Sequence, residues 1–346
     1  MFPGIAAASL RTTPWDPLTI VTVNAASADA LSFAIVNGTD IYIKDVSVGV
    51  RSLSAINGTL TTLYTGDGAI GGGTFHYSNG RFFSYSSTAS KLASGTTAAG
   101  MSVIKSPAAT KTYARISWCP SINSWLVVGD ADTTVNAAGL DYTNTGTGLT
   151  TITASGYLPW TAAEQCLGIA ASSDRILVSG NNGKLATSTT TASAGTFAGA
   201  ITWSLITSAT TTNKQVKNLR YHPNTADGNV WTCADDNGLV AFSTNGTTFA
   251  LKTIFSTLYP SEVDVIWVPS KNRWMAWSVG NTAAGKGREL AYSNTSSYTG
   301  TWTLSSRSTA AADLNNPSDV ERGVVVNNSY LLIASNVVGT YKYHRI

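Results

Sequence analysis

The sequence predicts an all-β fold, a seven-bladed β-propeller, on three observations: a motif that recurs along the chain, four strands per repeat, and no helical periodicity. The motif is Trp118-Cys119-Pro120-Ser121-Ile122-Asn123-Ser124-Trp125, matched as W-x-P-S-x-N-x-W by Trp267-Val268-Pro269-Ser270-Lys271-Asn272-Arg273-Trp274. A weaker copy, Tyr221-His222-Pro223-Asn224 leading to Asn229-Val230-Trp231, lies between them. One supersecondary unit therefore repeats every roughly 40–50 residues.

Each unit opens with an apolar strand, with starts near Leu31, Gly71, Tyr113, Gln165, Val216, Val263 and Val320. A Pro/Ser/Asn/Gly turn follows, and then a second strand of alternating aliphatic and aromatic residues, which is a hairpin pattern. Second strands are read at 81–85, 125–128, 175–178, 230–233, 274–277 and 330–333, and third strands at 184–188, 239–243 and 289–293. Fourth strands at 201–205, 249–253 and 301–304 complete a four-stranded blade. The last unit stops after Tyr341-Lys342-Tyr343-His344-Arg345, while residues 18–23 near the N-terminus form a strand without a unit. The last blade is therefore expected to be closed by an N-terminal strand, which removes two open sheet edges. Residues 1–15 are then an arm, and residues 16–346 the propeller.

Composition narrows the function. Hydrophobic residues make up 43% of the 346, with ten Trp and fourteen Tyr for packing between sheets. Charged residues make up only 12%, about half the usual share, so the surface is polar but weakly charged. The net charge of +3 includes no run of Lys or Arg that could neutralise neighbouring phosphates, and no nucleic-acid partner is expected. Cys119, Cys166 and Cys233 are far apart in apolar stretches and read as buried free thiols. The start lacks a basic leader region, and no apolar run reaches the roughly 20 residues that cross a bilayer, so neither signal peptide nor membrane insertion is expected.

Ser243-Thr244-Asn245-Gly246-Thr247-Thr248-Phe249 resembles the Asp-box of sialidase-like propellers, S/T-x-D-x-G-x-T-W, with Asn245 in place of Asp and Phe249 in place of Trp. Looser versions run from Ser293-Asn294 to Trp302 and from Thr187-Ser188 to Trp203. The resemblance implies scaffold: the Asn side chain bonds nearby amides and the aromatic wedges between sheets. Joined to a Thr/Ser/Ala/Asn-rich surface, it makes the chain similar to propeller proteins of bacteriophage tails and virions.

Candidate sites follow from spacing. His76, His222 and His344 lack metal-ligand spacing, no G-x-S-x-G is present, and neither metal nor cofactor is expected. With the Pro turns as register marks, Arg115, Asn218 and Asp264 fall at equivalent first-strand positions. Glu164, Glu262, Glu321 and Arg322 lie at or just before other first strands, so these groups are expected around one mouth of a channel. Tyr157, Trp160 and Tyr259 lie between repeats, where aromatic faces stack on sugars or anchor protein partners. The arm carries Phe2, Pro3, Ile5, Leu10 and Trp15 as attachment residues.

The expectation is a non-enzymatic virion structural protein of a phage tail, in contact with other virion proteins and with a host-surface glycan or protein receptor, with homo-oligomers formed within the assembly. The alternative is a glycan-binding lectin or sialidase-type hydrolase, for which Arg115, Asp264 and Glu321 must converge on one pocket.

Overall fold

The computed structural model describes residues 20–24, 31–37, 40–45, 49–54, 60–65, 75–86, 91–106, 113–129, 140–151, 165–189, 202–206, 216–235, 239–255, 262–279, 289–307, 324–326, 330–334 and 340–345. Strand β1 (Ile20–Asn24) precedes the first full sheet, which comprises β2 (Leu31–Asn37), β3 (Asp40–Asp45), β4 (Gly49–Leu53) and β5 (Leu60–Tyr64). The next holds β6 (Phe75–Ser78), β7 (Arg81–Ser86), β8 (Lys91–Gly95) and β9 (Ser102–Lys105). It is followed by β10 (Tyr113–Cys119), β11 (Ser124–Gly129), β12 (Leu140–Thr143) and β13 (Thr150–Thr151). Then come β14 (Cys166–Ala171), β15 (Arg175–Gly180), β16 (Leu185–Thr189) and β17 (Ser204–Leu205). Strands β18 (Val216–Thr225), β19 (Gly228–Asp235), β20 (Leu239–Ser243) and β21 (Ala250–Thr253) form another sheet, and β22 (Glu262–Val268), β23 (Arg273–Val279), β24 (Glu289–Ser293) and β25 (Trp302–Arg307) the next. Last are β26 (Val324–Val326), β27 (Tyr330–Ala334) and β28 (Thr340–Arg345).

The described strands form seven four-stranded sheets, each an antiparallel meander in chain order except the last, whose order is β1-β28-β27-β26. There β1 pairs with β28, Ile20 opposite His344 and Asn24 opposite Thr340, so the N-terminal strand supplies the fourth strand of the C-terminal sheet. The first strands pack side by side in the sequence β2, β6, β10, β14, β18, β22, and β2 also meets β26 and β27. This is the propeller arrangement, in which first strands line the inside and fourth strands lie at the rim.

Cores form between consecutive sheets. Cys119, Leu126, Val128 and Leu140 of one sheet pack with Cys166, Ile169, Ile176 and Val178 of the next. Leu177 and Leu185 meet Leu219, Trp231, Cys233 and Phe249, and Val230, Val240 and Phe242 meet Val263, Val265 and Trp274. The three cysteines are free and buried, and burial raises all three thiols above their usual range. They act as small apolar core groups.

The repeated motif has a simple local logic. Pro120 and Pro269 each open a short 3-10 turn that closes on an Asn in the left-handed region, Asn123 at φ 49° and Asn272 at φ 50°. Asn tolerates this region better than other non-glycine residues. The flanking indoles then face each other across the hairpin, Trp118 with Trp125 at 4.5 Å and Trp267 with Trp274 at 5.3 Å between centroids. Such offset and edge contacts suit the aromatic quadrupole.

The rim turns tie sheets together. In the Ser243–Phe249 turn the Ser243 hydroxyl accepts from the Gly246 amide at 2.8 Å, and Asn245 Oδ1 accepts from the Thr247 and Thr248 amides at 2.9 Å each. Phe249 is buried beside Trp231 in the inter-sheet core. A second turn of this kind, with no Asp-box aromatic, follows β12: Thr143 Oγ1 accepts from the Gly146 amide at 2.8 Å. Both glycines have positive φ, and a Cβ at either would collide with an arginine stem of the preceding sheet, Arg81 at 2.4 Å for Gly146 and Arg175 at 2.5 Å for Gly246. The Ser293–Trp302 segment bonds differently, with Ser293 Oγ donating to Thr295 O and the Asn294 amide donating to Thr301 O. The Thr187–Trp203 stretch falls largely outside the described residues.

Candidate functional site

Five consecutive first strands, β6, β10, β14, β18 and β22, line one polar pocket of about 550 Å³. Its position follows from the meander: the first strand of each sheet is its inner edge, so side chains on these strands converge while those of fourth strands diverge. Counted from the hairpin pairings, His76, Ser117, Ala170, Arg220 and Ile266 hold one equivalent position on the five strands. Two residues earlier, Arg115, Gly168, Asn218 and Asp264 hold another. A β-bulge lies just before Arg115, Gly168 and Asn218, between residues 113 and 115, 166 and 168, and 216 and 218. A bulge re-aims the side chains that follow it, and here it does so at the inner wall.

The electrostatic centre is an ion pair between neighbouring sheets. Arg220 Nε donates to Asp264 Oδ1 at 2.8 Å and Nη2 donates to Oδ2, a bidentate fork. The amide of Val265 also donates to Oδ1 at 2.8 Å. Asp264 is 3% exposed and the Arg220 side chain 30%, so the carboxylate is buried behind the guanidinium and the guanidinium faces the cavity. Asn218 spans the same two sheets, its Nδ2 donating to Val263 O at 2.8 Å.

On the other side of the pocket, Arg115 is buried and its Nη1 donates to Ala114 O at 2.7 Å. The same carbonyl is bonded by His76. Burial first, and then the Arg115 guanidinium, hold the His76 imidazole down to about 3, with Arg220 and Lys44 adding to the effect. His222 is held down to about 3 as well, by burial and then by Arg220. Its Nε2 lies 3.0 Å from Thr232 Oγ1 and its ring meets Trp274 edge-on at 5.1 Å. Both imidazoles are therefore neutral near pH 7, and both are weak bases. Tyr77, Tyr221 and Trp267 form the aromatic parts of the wall.

Of the residues singled out by sequence, Arg115 lines the pocket and Asp264 is anchored behind its wall through Arg220. Tyr157, Trp160, Tyr259, Glu164, Glu321, Arg322 and the arm residues Phe2, Pro3, Ile5, Leu10 and Trp15 lie outside the described residues, as does the side chain of Glu262. His76 and His222, which the sequence did not mark as site residues, are strand residues of the pocket wall, because alternate side chains of a strand share its inner face. Sequence reasoning passed over Arg220. The signal was available: Arg220 is two residues after Asn218 on one strand, hence on the same face. Among the described residues no group of three or more His, Cys, Asp or Glu could hold a metal ion.

No protein-family model and no curated protein sequence matches the chain. Solved structures do. The chain is similar to YCF48 bound to D1 peptide, with 12% identity, 96% of each chain covered and a TM-score of 0.59. It is similar to virginiamycin B lyase from Staphylococcus aureus, with 11% identity over 95% of this chain and 100% of that one and a TM-score of 0.67. It is also similar to the computationally designed Ika8 protein, with 11% identity over 94% and 99% and a TM-score of 0.58. A lyase, a peptide-bound protein and a designed protein share the architecture, so the likeness shows a β-propeller fold and leaves function to the site.

Proposed function

We propose that this chain is a non-enzymatic, seven-bladed β-propeller of a bacteriophage virion, a tail component that docks on other virion proteins through its rim and presents its face to a host receptor. The observation that carries the reading is at the rim. Leu205, Leu251 and Leu304 are the exposed large hydrophobics among the described residues, at 45%, 51% and 47%. They pair with Ala186, Ala241 and Ala291, and so occupy one register position on the outer strands β17, β21 and β25 of three successive sheets. Repeated apolar side chains on edge strands suit a packed interface with a neighbouring protein better than open water. The weakly charged Thr/Ser/Asn-rich composition is in keeping with such an assembly.

A binding role also suits the pocket. Asp264 has both oxygens engaged by Arg220 and one of them by a backbone amide as well, which leaves it poorly placed as a general acid. The sialidase-type alternative draws on the presence of Arg115 and Asp264 at one pocket. A structure of the chain in its native particle tests the proposal: Leu205, Leu251 and Leu304 are expected under a neighbouring subunit, with residues 1–15 against the same assembly. A chain that stays a free monomer with bare leucines, or that hydrolyses a fluorogenic sialoside, overturns it.

A further inference from the structure

We infer that the inner-strand pocket binds a pyranose ring of a glycan, stacked on a row of half-buried aromatic side chains. The inference rests on the reading of this face as receptor-binding and names the receptor chemistry. One position along from the register of His76, Ser117, Ala170, Arg220 and Ile266, the inner strands carry Tyr77, Trp118, Ala171, Tyr221 and Trp267. Four of these five successive positions are aromatic, and all four side chains are half-buried. Each is backed across its hairpin by a ring of the second strand: Tyr77 by Phe82 at 4.7 Å, Trp118 by Trp125 at 4.5 Å, Tyr221 by Trp231 at 4.6 Å and Trp267 by Trp274 at 5.3 Å between centroids. The backing rings are at most 7% exposed, whereas the inner rings keep open surface, which a purely packing role does not require. Rings held in this way lose little freedom when a ligand lands on them, and the ordering cost of binding falls. Tyr77, Tyr221 and Trp267 line the pocket, and the small Ala171 lines it in place of a ring.

The polar groups beside these rings suit hydroxyls. Arg220 uses Nε and Nη2 on Asp264, and its Nη1 makes no hydrogen bond to any described residue although the side chain is 30% exposed toward the cavity. Asn218 donates through Nδ2 to Val263 O and keeps its Oδ1 as an acceptor. The two residues are two apart on β18, on one face, and so roughly 6–7 Å apart along the strand. A donor and an acceptor at that spacing fit two hydroxyls of one ring, since a hydroxyl both gives and takes a hydrogen bond. Both are fixed before a ligand arrives, Arg220 by the ion pair and Asn218 by its bond to the next sheet. Trp267 faces the same gap between sheets, packing on the cluster that holds Val230 and Phe242 of the Arg220 sheet. An aromatic face beside a fixed polar pair matches a pyranose, which is apolar across its C–H face and polar around its edge.

Saturation-transfer NMR on the full chain tests this, with the methyl glycosides of glucose, galactose, N-acetylglucosamine and glucuronic acid at millimolar concentration and sorbitol as the acyclic control. At least one glycoside is expected to receive saturation through its ring C–H protons, and sorbitol none. The tightest of the four names the sugar, the glucuronide reporting an acidic one. Trp267→Ala removes a stacking face and is expected to weaken that glycoside by roughly tenfold with an unchanged circular dichroism spectrum. Should that variant unfold, Arg220→Lys carries the test: it keeps a cation beside Asp264, removes the Nη1 edge and is expected to weaken binding in the same direction. Leu251→Ser, on the rim, is expected to bind as the parent chain does. Silence of all four glycosides, sorbitol saturated as strongly as they are, folded pocket variants with unchanged affinity, or an equal loss in Leu251→Ser each overturn the assignment. None of these results touches the rim interface, which is read separately in the particle, and bare leucines there would leave sugar binding by the isolated chain as measured.

Discussion

The two copies of the W-x-P-S-x-N-x-W hairpin invite comparison because they share a scaffold and differ at the pocket. In β10–β11 and β22–β23 the proline, the left-handed Asn and the facing indoles superimpose in role, φ by φ. On the inner face of the same strands Arg115 stands where the other copy has Asp264, and Ser117 where it has Ile266. The repeat therefore encodes the blade, and the departures from it encode the site. Arg220, from the weakest of the three copies, joins the divergent positions into one ion-paired wall.

If the shared positions are scaffold, their loss must cost folding. Trp274 is fully buried and touches His222, Phe242, Trp267 and Tyr298, so Trp274→Ala is expected to destabilise by about 3–5 kcal/mol. Trp125→Ala, in the other copy, should cost a comparable amount and also lose the bond from Nε1 to Ser78 O. Urea unfolding of both variants checks this, and tolerance of either would break the equivalence of the two hairpins.

The divergent positions are sharpened by Asp264→Asn. It leaves Arg220 facing an amide, and the expected loss is roughly 2–4 kcal/mol, below that of a fully buried pair because the guanidinium is partly solvated. Arg115→Gln, which leaves the Arg220–Asp264 fork intact, is expected to cost less. Thermal unfolding of the two side by side decides whether the pair is the mechanical link between sheets; equal losses would sink that view.

The rim offers a smaller effect. Gly246→Ala meets a positive φ and a collision with Arg175, and should destabilise by about 1–3 kcal/mol. Gly148→Ala has nothing within 4 Å and should be nearly silent. A pair of denaturation curves distinguishes them.

The smallest effect is pH. His222 is lowered from 6.5 to about 3 in the folded chain, so the unfolded chain takes up its proton first. Stability from this group is complete above about pH 6.5 and is lost as pH falls toward 3, because the unfolded state binds more protons across that window. His222→Gln should flatten the fall in unfolding midpoint between neutral and mildly acidic buffer, and an unchanged slope would count against burial of a neutral imidazole.

Much of this architecture was legible in the chain. Strand alternation, the Pro-Ser-x-Asn turns and the Ser243–Phe249 turn depend on contacts within a few residues, and local chemistry writes them directly into sequence. The first-strand register of Arg115, Asn218 and Asp264 was readable for the same reason, since a proline turn counts residues reliably. The turn at Thr143–Gly146 was missed because its signature lacks the aromatic wedge, and the arginine stems against Gly146 and Gly246 were missed because they come from the preceding sheet.

By itself, then, the sequence determined the β class, the repeat, the hairpin chemistry and the shared register of Arg115, Asn218 and Asp264, because each is set by period-two alternation and turn stereochemistry. Only the tertiary structure decided that Asp264 is spent on Arg220 and that two histidines sit uncharged in the wall. Those outcomes depend on which strands of different sheets become neighbours and on how far water is excluded between them, and neither quantity is local along the chain.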